Sequence, residues 1–93
     1  MANGELGSVL VTVTDQAGEP IPGALATLTS SEVDINLISD AEGKIRFRGL
    51  PPGKYELTVM LTGFNTYVNH DIPVGAGQTV PVQVVLTLAQ IQE

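Results

Sequence analysis

The sequence predicts an all-β protein, a seven-stranded antiparallel β-sandwich in Greek-key order. Val, Ile and Thr make up 26 of the 93 residues, and their branched side chains fit a pleated strand better than a helix. Apolar and polar residues alternate with a period of two in successive runs. Clusters of Gly and Pro separate these runs at about the 8 to 12 residue spacing of sandwich strands. These observations argue against a helical fold.

The first three runs account for the first half of the predicted sandwich. The run from Asp34 to Ser39 leads into a turn, Asp40-Ala41-Glu42-Gly43. Because Asp accepts bonds from its own backbone and Gly tolerates a positive φ, this turn predicts a hairpin to the next strand. In the two earlier runs, Ser8 to Thr14 and Ala24 to Thr29, the predicted inward residues are Val9, Val11, Val13, Ala24, Ala26 and Leu28.

Four further runs complete the seven, and they extend over Lys44 to Arg48, Lys54 to Thr62, Thr66 to Pro73 and Thr79 to Leu88. Pro81 has no N–H for a sheet ladder, so it predicts an edge position for the last strand. Alternation predicts the inward residues of the fourth, fifth and seventh runs as Ile45, Phe47, Tyr55, Leu57, Val59, Leu61, Val80, Val82, Val84, Leu86 and Leu88.

Length and composition limit the possible functions. Ninety-three residues suit a single domain, expected over residues 1–93 with its core from about 7 to 88. The chain has no cysteine and one histidine, which excludes disulfides, thiolate metal sites and sites that need two histidines. A net charge of −6 has the wrong sign for binding nucleic acid or anionic lipid. We expect no cofactor and no metal. We also expect no insertion into a membrane, since no run approaches ~18 apolar residues.

Four blocks of sequence occur in a fixed order: Val13 to Ala24 (VTDQAGEPIPGA), Ser39 to Phe47 (SDAEGKIRF), Gly49 to Val59 (GLPPGKYELTV) and Gly63-Phe64. Together they resemble the carboxypeptidase regulatory-like domain family over nearly the whole chain. The resemblance implies a prealbumin-like or transthyretin-like sandwich of the broader Ig-like type. It also implies a non-catalytic accessory module, of the kind found beside peptidase domains, at the front of outer-membrane receptors and within surface and filament proteins.

This chain lacks the residues required for two reactions that related sandwich domains carry out. An isopeptide crosslink needs a lysine on the first strand and an Asn or Asp on the last, but 8–14 contains no Lys and 79–88 contains no Asn or Asp. Transthyretin-like hydrolases use several histidines and arginines and end in Tyr-Arg-Gly-Ser, which this chain lacks. We therefore expect neither the crosslink nor an enzyme.

Weak calcium or sugar binding is a further alternative. The acidic loops at Asp15 and Asp40 supply too few oxygen ligands for Ca²⁺ unless backbone groups complete the site, so turn chemistry explains them better. Sugar stacking would rely on Tyr67 and Phe64, and the family resemblance implies that Phe64 lies in the core. His70 is expected on a solvated strand or loop, facing away from its neighbour Asp71.

Outward-facing aliphatic residues are the strongest indication of an interaction surface. If the alternation holds, the side chains of four aliphatic residues point away from the core: Leu10, Leu25, Met60 and Val85. Together on one side, they would form an apolar patch larger than a monomer normally exposes. We therefore treat these four as a candidate interaction face.

A basic stripe of Lys44, Arg46 and Arg48 is a second candidate, suited to an acidic partner, although such charges also discourage aggregation of edge strands. The chain is thus predicted to be a non-catalytic structural or protein-interaction module of an extracellular or cell-surface assembly. Its expected partners are neighbouring domains or identical subunits. A virion decoration or fibre domain is the alternative, because residues 1–4 show no export signal.

Overall fold

A computed structural model describes residues 5–89, in which the chain forms seven strands. In chain order these are β1 (Gly7–Thr14), β2 (Leu25–Thr29), β3 (Asp34–Ile38), β4 (Lys44–Leu50), β5 (Gly53–Met60), β6 (Tyr67–Val74) and β7 (Thr79–Val85). They make two sheets that pack face to face. Sheet A has the strand order β4-β1-β7, and sheet B has the order β3-β2-β5-β6. The predicted all-β Greek-key sandwich of seven strands is confirmed.

One strand pair departs from the predicted antiparallel pattern. β1 and β7 run parallel, from Ser8 opposite Thr79 to Thr14 opposite Val85. A parallel pair cannot be closed by a short hairpin turn, because both strands point the same way. Here the connection between the two strands is the rest of the domain, so the parallel pair needs no special crossover. β7 is an edge strand, as Pro81 predicts.

The predicted hairpin at Asp40 to Gly43 is wrong, although the turn itself forms. The amide of Gly43 donates to the carbonyl of Asp40 over 2.9 Å, and Gly43 has a φ of 76°. However, β3 belongs to sheet B and β4 to sheet A, so the turn crosses between the sheets. The same turn can close a hairpin within one sheet or connect two strands in different sheets. Burial of Ile45 and Phe47 beside β1 decides that β4 joins sheet A.

The core lies between the two sheets and follows the period-two pattern. Leu61, Val80 and Val82 were expected inward but are only partly buried. Leu88 was also expected inward, yet 67% of it is exposed, because it lies three residues beyond the end of β7 and the alternation continues only as far as Leu86. The predicted inward residues that are buried are Val9, Val11, Val13, Ala24, Ala26, Leu28, Ile45, Phe47, Tyr55, Leu57, Val59, Val84 and Leu86.

The side chains of Ser39 and Tyr55 make hydrogen bonds within the connections between the two sheets. The buried hydroxyl of Ser39 donates to the carbonyl of Ile21 over 2.8 Å and accepts from the amide of Ala24 over 2.9 Å. The hydroxyl of Tyr55 donates to the carbonyl of Pro51, in the crossover from β4 to β5. Desolvation by burial raises the pKa of Tyr55. Residues 5–89 include no helix with the length and apolarity to cross a membrane.

Candidate functional site

The outer face of sheet B has a row of aliphatic side chains across three adjacent strands. Leu25 on β2 lies directly opposite Ile38 on β3 and Met60 on β5. The exposed fractions are 37% for Leu25, 64% for Ile38 and 47% for Met60. Residues opposite one another in neighbouring strands share a face, with Cβ atoms about 5 Å apart. We call Ile38, Leu25 and Met60 the aliphatic row.

The aliphatic row lies at one end of the outer face. On its inner side the next cross-strand positions are polar, and the hydroxyl of Thr27 donates to Asn36 Oδ1 over 2.7 Å. On its other side Leu25 and Met60 line a groove together with Leu61 and Phe64. Thr62 and Thr66 also line this groove, so apolar side chains reach the connection between β5 and β6 within a mixed surface.

The structure brings together two of the four aliphatic residues of the predicted interaction face. Leu25 and Met60 are neighbours in sheet B, whereas Leu10 and Val85 lie in sheet A. Val85 is paired with Thr14, four residues beyond Leu10 on β1, which puts Leu10 and Val85 about 13 Å apart along the strand direction. The four residues do not form one face.

Ile38 is the member of the aliphatic row that sequence analysis missed. The signal was present, because Asp34, Asn36 and Ile38 alternate with Ile35 and Leu37. Two polar residues on one side of the strand indicate its solvent side, and Ile38 shares that side.

The basic stripe of Lys44, Arg46 and Arg48 lies on the outer face of sheet A, and all three side chains are exposed. Arg46 is opposite Leu10, and a shallow groove is lined by Leu10, Arg46 and Arg48. Within residues 5–89, Lys54 pairs with Asp71 and Glu56 contacts His70, and neither contact includes the stripe. Three of the four cations of an acidic chain are thus concentrated on one strand.

The acidic loops use their carboxylates as turn caps. Asp15 Oδ1 accepts from two following backbone amides, each over 2.9 Å, and Asp40 Oδ1 does the same. The backbone amides of Lys44 and Glu42 thereby hold the pKa of Asp40 below its usual value. Across residues 5–89, no three carboxylate or imidazole groups are placed to hold one metal ion.

His70 and Asp71 do not pair with each other. His70 Nδ1 pairs with Glu56, and Asp71 lies 3.7 Å from Lys54 Nζ. A register shift between Tyr55 and Leu57 puts both His70 and Asp71 beside this part of β5. Both side chains are exposed, so these are surface contacts, and an exposed ion pair such as Lys54 with Asp71 contributes about 0–1 kcal/mol.

Phe64 and Tyr67 are partly buried and pack against the core. The hydroxyl of Tyr67 accepts from Asn69 Nδ2 over 3.3 Å. Their rings thus contribute to the core, whereas sugar stacking uses flat aromatic rings that stand exposed on loops.

Solved structures share this architecture at low sequence identity. The TIE protein of Bacillus anthracis matches 91% of this chain with a TM-score of 0.82 and 19% identity, over 17% of its own length. A minor pilin of Streptococcus agalactiae matches 97% with a TM-score of 0.64 and 17% identity, over 47% of its length. Hydroxyquinol 1,2-dioxygenase of Pseudomonas putida matches 96% with a TM-score of 0.73 and 11% identity, over 58% of its length. The chain therefore spans less than two thirds of each neighbour, and the likeness shows the fold alone.

The sequence comparison identifies the family. Among curated proteins, no sequence matches this chain significantly. The sequence model that describes the carboxypeptidase regulatory-like domain matches residues 8–87, a span that includes both Asp-x-x-Gly turns and the Pro51-Pro52-Gly53 crossover. This match confirms the resemblance carried by the four sequence blocks. Since it extends across all seven strands of the sandwich, the chain belongs to the carboxypeptidase regulatory-like domain family.

Proposed function

We propose that this chain is a non-catalytic protein-interaction module of an extracellular or cell-surface assembly, and that it binds a neighbouring polypeptide through the aliphatic row. The observation that carries the proposal is the position of Leu25 between Ile38 and Met60, with all three exposed on one face. Single exposed aliphatic residues are common on protein surfaces, but a continuous strip typically marks a contact site.

The energetics suit a small contact. Complete burial of an exposed Leu, Ile or Met side chain contributes roughly 1.5–3 kcal/mol of binding free energy. The three side chains of the aliphatic row are already partly buried in the free domain, so each contributes less than this. Such a cluster is typical of the centre of an interface, where a few apolar residues supply most of the affinity.

Charge near the row indicates the chemistry of the partner. Asp40 and Glu42 lie in the turn that follows Ile38, and the whole chain has a net charge of −6. We infer a partner that presents an aliphatic ridge with Lys or Arg at its margin. Complementary charge at the rim of an interface speeds association and excludes other partners.

Two comparisons support a role in a surface assembly. The family model describes a regulatory-like domain, and one fold neighbour is the minor pilin of a Gram-positive pathogen. The fold also occurs in a dioxygenase, so the support comes from these matches taken together with the aliphatic row.

Site-specific photo-crosslinking in the cells that produce the protein tests this function. A photoreactive amino acid replaces Met60 in one variant and Val85 in a matched control, because these residues are 47% and 46% exposed on opposite faces of the sandwich. We expect the probe at position 60 to capture one polypeptide of the surface assembly and the probe at position 85 to capture none.

A second pair of variants ties the crosslink to the row. Leu25→Asp should abolish capture from position 60, whereas Val85→Asp should leave it unchanged. Equal capture from both positions, or none from position 60, would overturn the proposed contact. Circular dichroism of each variant confirms that the sandwich is retained.

A further inference from the structure

The four edge strands differ in how well they are protected against pairing with another strand. β6 and β7 each contain a proline, Pro73 and Pro81, and β6 also has an irregular register opposite β5. Proline removes a ladder hydrogen bond and irregular register disrupts the ladder, so both features block strand addition. β3 contains no proline and pairs with β2 at five consecutive positions without a shift. β4 contains no proline either, and its pairing with β1 is regular from Lys44 to Phe47, with a register shift only beyond Phe47, before Leu50.

The two open edges lie on the same side of the sandwich. β3 is the last strand of sheet B, β4 is the last strand of sheet A, and the turn from Asp40 to Gly43 joins them. The blocked edges, β6 and β7, contact each other on the opposite side. One side of the molecule is therefore closed to strand addition and the other is open.

The core-facing side of β3 is incompletely covered. Leu37 lies opposite Ala26, which is fully buried, yet 37% of Leu37 is exposed. Ile35 lies opposite the fully buried Leu28 and is itself only partly buried. Leu37 and Ile35 thus face the interior, and their exposure arises because nothing in this chain packs beyond the edge.

The charges of the two open edges are opposite in sign. β4 has Lys44, Arg46 and Arg48 on its outer side, and the charge on β3 is Asp34. Pairing β4 with another β4 would oppose cations, whereas pairing β3 with β4 opposes Asp34 to arginine. We propose that this side binds the same side of a second copy of the chain, and that β3 of each copy pairs antiparallel with β4 of the other.

A two-fold axis parallel to the strands produces this arrangement. Such an axis preserves strand direction and exchanges the two layers, so sheet A of one copy continues into sheet B of the other. Because β3 and β4 run in opposite directions from their shared turn, each β4 meets the second copy's β3 in antiparallel orientation. With the two turns at the same height along the axis, Arg46 comes opposite the second copy's Asn36. Arg48, at the start of the irregular part of β4, comes close to the second copy's Asp34.

The same register covers the exposed part of β3. Ile45 and Phe47, which face the core from β4, come opposite Leu37 and Ile35 of the second copy. The contact therefore forms two strand pairs, two charge pairs and a shared apolar interior. Of the aliphatic row, only Ile38 lies at this edge, where it comes opposite the second copy's Lys44, and Leu25 and Met60 stay outside the contact. The proposal therefore goes beyond the proposed function and is tested separately from it.

Analytical ultracentrifugation of the purified chain tests the proposal. We expect a concentration-dependent dimer that weakens as salt is raised, because its charge pairs are screened. Asp34→Arg and Arg48→Asp, each alone, should raise the dissociation constant at least about tenfold, since each opposes like charges at two places. The double variant Asp34→Arg/Arg48→Asp exchanges the charges and should restore the dimer.

Lys54→Asp is the matched control, because it changes the net charge as Arg48→Asp does but lies on β5, away from the open side. It should leave the dissociation constant within about twofold of wild type. A wild-type chain that stays monomeric, single reversals without effect, or a double variant that remains monomeric would each overturn the proposal. Capture of a polypeptide from position 60 is a separate measurement, and none of these results decides it.

Discussion

The amide of Val13 donates a hydrogen bond to the carbonyl of Gly43 over 2.7 Å, which ties the turn after β3 to the end of β1. Gly43 has a φ of 76°, and a Cβ added there would collide with the carbonyl oxygen of Val13. The turn after β1 has the same Asp-x-x-Gly pattern and ends at Gly18, with a φ of 84° but open space around it. The two turns share their local chemistry and differ in packing.

This difference predicts unequal effects of the same substitution. Gly18→Ala should lower the free energy of unfolding by about 1–2 kcal/mol, because a side chain disfavours the left-handed backbone region. Gly43→Ala should lower it by at least roughly 1 kcal/mol more, since the turn must also move away from β1. Urea denaturation of both variants measures the difference. Equal losses would show that the turn can move away from Val13 at no energetic cost.

The register of β5 predicts a second contrast, between adjacent residues. Leu57 is fully buried, so Leu57→Ala should destabilise the domain by ~2–5 kcal/mol through loss of packing and a cavity. Glu56 faces solvent and pairs with the exposed His70, so Glu56→Ala should cost about 0.5 kcal/mol or less. Chemical denaturation of both variants is the measurement. The reverse order would mean that β5 is displaced by one residue.

Ser39 is the buried polar residue that joins the β1–β2 connection to the end of β3. Ser39→Ala leaves the carbonyl of Ile21 and the amide of Ala24 without this partner, so we expect a loss of ~1–3 kcal/mol. Ser30→Ala is the control, because its hydroxyl makes a longer, exposed bond of 3.3 Å to the amide of Glu32. Thermal unfolding should separate the two variants, and equal melting temperatures would argue against a structural role for the Ser39 hydroxyl.

The lowered pKa of Asp40 predicts a pH dependence of stability. The folded state favours the charged carboxylate, so folding releases a proton in the range where the unfolded carboxyl is protonated. Its contribution is therefore present above pH 3.8 and is lost as pH falls below that value through the folded pKa. The stability difference between wild type and Asp40→Asn should shrink over this acid range. An NMR titration of the Asp40 carboxyl should have its midpoint below 3.8, and a midpoint at or above 3.8 would contradict the assignment.

Alternation was sufficient to predict most of the core. A period of two determines which residues share a face, so Tyr55, Leu57 and Val59 could be placed inside before any partner strand was known. It was insufficient for Leu88, because the alternation continues past the end of β7 to the buried Leu86 but not as far as Leu88. Depth of burial depends on neighbouring strands, which the pattern within one strand does not describe.

The candidate site shows the same limit. The outward direction of Leu25 and Met60 was predictable from alternation, and so was that of Leu10 and Val85. That the first two are neighbours, and the last two lie on the other sheet, follows from the pairing of β2 with β5 and of β1 with β7. Ile38 joined the row because β3 pairs with β2 and does not form a hairpin with β4.

Strands, turns, inward faces and family membership could thus be recognised from the order of amino acids, because each depends on residues close together in the chain or on a repeated motif. Assignment of strands to sheets, the parallel β1–β7 pair and the aliphatic row required the folded molecule. These features join segments that are distant in the chain. Local turn chemistry does not distinguish between the possible strand pairings, and the burial of whole apolar faces decides which of them forms.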